Sequence, residues 1–104
     1  MSQIATNTKQ SLRLLEAGLI SYSDMFELVD KNGTTHYRQR LVEVSYGEMQ
    51  DQGFKVVNSC AFSLSSLWDI IHKLDKTYEF PSSLSSEQLI ENLVTRICYR
   101  REHQ

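Results

Sequence analysis

The chain reads as an α+β fold with the element order α-β-β-β-α-α, a three-stranded antiparallel sheet with helices packed on one face. Three observations predict it. Asn32-Gly33 stands between two runs of strand-forming residues and marks a hairpin. Two later stretches place apolar residues at helical spacing: Leu67, Ile70, Ile71, Leu74 and Tyr78, then Leu89, Ile90, Leu93, Val94 and Ile97. The composition is that of an ordinary globular chain, 40% hydrophobic and 23% charged, with four glycines and one proline to make irregular segments. A length of 104 residues suits a single domain, 1–104, with a core over about 4–78 and an added C-terminal helix over about 85–101.

The first helix is expected over 4–17. Ile4, Thr8, Leu12 and Leu15 carry its spacing, and Gly18 is its stop. Residues 25–30 and 35–46 then form two strands around Asn32-Gly33. "SYSDMFELV" also admits a helix capped at Ser23; the Asn-Gly that follows directly favours the strand. A third strand, "GFKVVNSCAF", begins at Gly53. Ser66 with Asp69 spells a capping box for the next helix, where Asp69 and Lys73 pair at i,i+4. "EFPSS" ends that helix, because Pro81 lacks a donor and restricts Phe80. Ser85 with Gln88 starts the last one.

With a two-residue Asn32-Gly33 loop, Glu27 opposes Arg38 and Met25 opposes Arg40. Phe26, Leu28 and Tyr37 then share the other face. Val42, Val44 and Tyr46 fall on the parity of the arginines, so either a bulge near Leu41 switches faces or the loop is longer than two residues.

The order of elements and the hairpin resemble the double-stranded-RNA-binding domain over about residues 8–75. Gly33-Thr34-Thr35-His36 occupies that family's Gly-x-x-His loop, Val42 and Val44 follow as its next strand, Phe26–Val29 looks like its first strand, and Gly47 and Gly53 flank its second hairpin. The resemblance implies an α-β-β-β-α core and contact with RNA through the hairpin. The chain departs from the pattern where the family opens its last helix with a lysine cluster that spans phosphates. "FSLSSLWDII" stands there, Asp69 adds a negative charge, Thr34 replaces a proline, and Arg40 replaces an aromatic residue. RNA is therefore disfavoured as a partner, since phosphate contacts supply much of such affinity.

Net charge of −2 and an isoelectric point near 5.9 also differ from the basic balance of a dedicated nucleic-acid binder. No run of about 18 apolar residues occurs, so a soluble, cytoplasmic protein with no membrane contact is expected. Cys60 and Cys98 do not make a disulfide framework and read as small hydrophobes. His72 has Asp69 and Asp75 three residues to either side, yet no second His or Cys cluster completes a metal sphere. No phosphate loop, dinucleotide fingerprint or nucleophile elbow is present. Neither catalytic residues nor a cofactor or metal are expected. What remains is a small non-catalytic binding module, an adaptor or regulator, whose partner is a protein and which is a candidate homodimer. The candidate partner-binding residues are His36, Arg38 and Arg40 on the hairpin, the aromatics Trp68 and Tyr99, and Arg100 and Arg101 at the C-terminus. The bland account of the arginines is a solvated strand face and a helix end that the dipole favours.

Overall fold

The computed structural model describes residues 3–19, 23–39, 52–79 and 83–103. Among them the order is α1 (Thr8–Glu16), β1 (Met25–Val29), β2 (Thr35–Gln39), β3 (Lys55–Ala61), α2 (Leu64–Leu74) and α3 (Ser86–Glu102), the α-β-β-β-α-α series expected from the sequence. The strands form one antiparallel sheet in the order β2-β1-β3. The second hairpin that the family resemblance implies is not formed by the described strands: β3 pairs with β1, on the side away from β2. Gly47, expected at that hairpin, lies outside the described residues, as do Arg40, Leu41, Val42, Val44 and Tyr46.

Residues 25–29 are strand, not helix, and the hairpin's register settles the loop length. Glu27 faces Tyr37, Phe26 faces Arg38 and Val29 faces Thr35, one residue away from the two-residue-loop pairing. The Asp30 amide donates to the Thr34 carbonyl and the Gly33 amide donates to the Asp30 carbonyl. Lys31 and Asn32 therefore form the turn, and Gly33 takes φ +80° as the left-handed residue of a three-residue loop. Asp30 braces it by accepting from the amides of Asn32 and Thr34.

On the other side of β1, Leu28 pairs with Val56 but Glu27 pairs with Asn58, leaving Val57 as the extra residue of a bulge. The bulge re-aims the strand. Val56 joins Phe26, Leu28 and Phe54 in one cluster, while Asn58 turns to α1.

The first helix begins at Thr8, four residues later than its spacing suggests. Asn7 caps it: its side chain accepts from the Gln10 amide, and the Gln10 side chain accepts from the Asn7 amide. Ahead of the cap, Ala5 bridges to Ser63 and Thr6 exchanges hydrogen bonds with Phe62, so these residues extend the β3 end instead of the helix. Gly18, with φ +87°, ends α1 as expected: its amide bonds Leu15 and that of Leu19 bonds Leu14, a Schellman arrangement.

The buried face of α1 is not the one its expected apolar spacing marks. Gln10, Ser11 and Leu14 are buried, whereas Leu12 and Leu15 stand about half exposed, at 52% and 50%, and Ile4 lies outside the helix at 50%. The polar residues survive burial because each is satisfied. Ser11 Oγ bonds Thr6 Oγ1 and accepts from Asn58 Nδ2, both at 2.8 Å. Gln10 Nε2 donates to Glu91 at 2.7 Å.

Ser63, not Ser66, caps α2; its hydroxyl accepts from the Ser66 amide. Asp24, just before β1, accepts from both the amide and the hydroxyl of Ser63, which fixes the cap three residues upstream of Ser66. The helix also ends before Tyr78. Asp75 leaves helical geometry and its carboxylate accepts from the amide and hydroxyl of Thr77, an alternative to the next helical turn. Phe80 and Pro81 lie outside the described residues. The Ser85–Gln88 capping box opens α3 as expected.

The main core is helical. Leu14, Leu19, Phe62, Leu67, Ile70, Ile71, Ile90, Leu93, Val94, Ile97 and Cys98 form one buried cluster, each large side chain contributing roughly 1.5–3 kcal/mol of burial. A second cluster of Ala5, Met25 and Ala61, with Tyr37 against it, seats the sheet beneath the N-terminal segment. No helix among the described residues is long and apolar enough to cross a membrane.

Candidate interaction surface

His36 and Arg38 come together on one sheet face because both sit on alternate positions of β2, and both meet Phe54. The Arg38 guanidinium lies 4.9 Å from the Phe54 ring centre, and the His36 ring stands edge-on to it at 5.3 Å. His36 Nε2 lies 2.8 Å from Asp30 Oδ2. That contact, followed by the Thr34 amide, holds the Asp30 carboxyl below its usual range. Arg38 does not answer Glu27 across the strands; Glu27 accepts from the Thr8 hydroxyl instead. Thus β2 offers an exposed cation over an aromatic ring, flanked by a histidine whose partner is acidic.

The C-terminal arginines have internal employment. Arg100 lies 3.5 Å from the Asp75 carboxylate and Arg96 lies 3.0 Å from it. Bonds from Thr77, then from Arg96, lower the buried Asp75 carboxyl to about 2. Arg101 donates to the carbonyls of Ala17 and Gly18, closing the C-terminal end of α1. These contacts come from helix spacing: residues 96 and 100 share one face of α3 and residue 101 the next.

The two aromatics differ. Trp68 is half-buried against the helical core, with His72 edge-on at 3.9 Å and Tyr78 at 6.3 Å. Tyr99 is half exposed, stacked on His103 at 4.2 Å with the Arg96 guanidinium 5.7 Å from its ring. It stands at one end of an open groove on the outer side of α3 that starts at Leu84.

His72, Asp69 and Asp75 do not converge. His72 Nδ1 is bonded to the Trp68 carbonyl, and Asp75 is turned to Thr77 and the arginines. Among the described residues no group of three or more His, Cys, Asp or Glu side chains is arranged to hold a metal ion. Burial pushes the Cys98 thiol up, away from the thiolate a nucleophile needs.

Two features escaped the sequence reading. One is the buried Thr6–Ser11–Asn58 staple between α1 and β3, for which no local pattern exists. The other is the outward leucine face of α1, which the Asn7-x-x-Gln10 capping box foretells, since it moves the helix start to Thr8.

The fold and these surfaces define a small α+β domain. Comparison with protein-family models, with curated proteins and with solved structures gave no match.

Proposed function

We propose that this chain is a small non-catalytic adaptor or regulatory module that works by docking onto a protein. The observation that supports it is the packing of α1, which buries Gln10 and Ser11 and presents Leu12 and Leu15 to solvent. A helix that buries two polar residues while two of its three leucines face solvent has a use for an apolar exterior, whereas a lone exposed leucine needs no explanation. With both cysteines free, the module suits a reducing compartment such as the cytoplasm. The test is affinity capture by the full chain and by its Leu12→Asp/Leu15→Asp variant, with folding checked by circular dichroism. Partners held by the unmodified chain and lost by the folded variant support docking through α1. Capture unaffected by the substitutions contradicts it.

A second function, RNA binding through the hairpin, is favoured by one observation: His36 and Arg38 gather at Phe54, an arrangement able to stack on a base. Against it, Arg100 is engaged by Asp75, Arg101 caps α1, and Asp69 is exposed on α2 where the resembling family carries lysine. Duplex RNA of about 16 base pairs should bind weakly at physiological salt, because few cations remain to displace counterions. A tight titration with a steep salt dependence would overturn the docking reading.

A further inference from the structure

We propose that the outward face of α1 is the interface of a homodimer in which two copies of α1 pack antiparallel about a two-fold axis beside Leu12 and Arg13. This rests on the docking function above and names its partner as a second copy of the chain.

The residues exposed on α1 are Thr8, Lys9, Leu12, Leu15 and Glu16. They are self-complementary when the helix is reversed against itself. At about 1.5 Å of rise per residue, an axis between positions 12 and 13 brings Lys9 level with Glu16 of the second copy, and the same pair recurs on the other side. Leu12 then lies about 1.5 Å along the axis from its own copy and about 3 Å from Leu15 of the second chain, which makes a four-leucine cluster at ordinary helix spacing. Parallel packing would set Lys9 against Lys9.

The charges on this face point the same way. Lys9 sits in the first turn and Glu16 in the last, and α1 has no acidic residue in its first turn. Both signs are the reverse of what the helix dipole prefers. Neither residue makes an ion pair with another described residue. In the antiparallel pair each misplaced charge meets its opposite from the second copy, placed at the same helix end. Arg13 does not compete, being turned to Glu91 and Thr95.

The helix has nine residues, so the contact is small and the dimer weak, with dissociation in roughly the tens to hundreds of micromolar. Sedimentation equilibrium on the full chain from about 10 µM to 1 mM reads it directly. Lys9→Glu and Glu16→Lys each improve the charge-to-dipole match of the monomer, so neither variant is expected to unfold. Each replaces two attractive pairs by two repulsions and should weaken self-association by about tenfold or more. An equimolar mixture of the two variants, or the double variant K9E/E16K, should regain the original affinity within about threefold. A chain that stays monomeric to 1 mM overturns the proposal, as does a dimer that ignores both substitutions or is not rescued by the exchange. If the chain is monomeric yet Leu12→Asp/Leu15→Asp still abolishes capture of another protein, the docking function stands and only the second copy falls. If capture too is unaffected, both fall.

Discussion

Leu12 and Leu14 lie two residues apart on a nine-residue helix, and their truncations should differ by an order of magnitude in free energy. Leu14 is fully buried in the helical core, whereas Leu12 is 52% exposed. Leu14→Ala removes a buried side chain and leaves a cavity, which costs about 2–5 kcal/mol in a well-packed core. Leu12→Ala removes solvated atoms and gains slightly in helix propensity, so its effect should stay within about 0.5 kcal/mol. With a urea dependence of about 1.5 kcal/mol/M, a loss of ~3 kcal/mol moves the midpoint down by about 2 M, or the thermal midpoint down by roughly 12–20 °C. The measurement belongs at low micromolar protein, where self-association adds nothing. Equal losses for the two variants, or a larger loss at Leu12, would refute the burial of α1 described above.

Three further outcomes follow from other parts of the fold. Asn58→Ala strips Ser11 of a donor and the Cys60 amide of an acceptor, and should cost about 1–3 kcal/mol in urea unfolding. Gly33→Ala imposes a side chain at φ +80° with open space around it, so it should cost about 1–2 kcal/mol through backbone strain alone and leave contacts unchanged in spectra. Asp75 titrates at about 2 in the folded chain against an ordinary 3.8, so its stabilising contribution is present above that ordinary value and fades as pH falls from about 4 toward 2. Urea midpoints should therefore show Asp75→Asn weaker than the unmodified chain at pH 5, with the gap closing near pH 2; a gap independent of pH would contradict the ion-paired state.

The elements with strong local signals were legible in the sequence. Ser85–Gln88 starts α3, Gly18 stops α1, and Asn32-Gly33 marks the hairpin, because caps and turns are short-range chemistry. Apolar spacing was a poorer guide where tertiary bonds compete. Thr6 and Ala5 were drawn to Phe62 and Ser63, which withdrew the first turn from the expected helix and left Ile4 outside it. Tyr78 keeps helical spacing with Leu74, yet Asp75 prefers Thr77 and the arginines of α3, a choice set by residues some twenty positions away. The sheet order β2-β1-β3 has no signature in the strands themselves, since a strand's alternation does not name its neighbour. Of the candidate residues, His36 and Arg38 were readable as a pair from their i,i+2 spacing, while the engagement of Arg101 by Ala17 and Gly18 depends on how α1 and α3 pack.

Docking through the outward face of α1 is tested most directly by methyl resonances. Leucine methyl spectra of the full chain, recorded across a dilution series and again with any captured partner, report each side chain separately. The prediction is that Leu12 and Leu15 shift together with concentration or partner while the buried Leu14 and Leu93 hold still. Leu12 and Leu15 resonances that remain fixed while methyls elsewhere respond would contradict it.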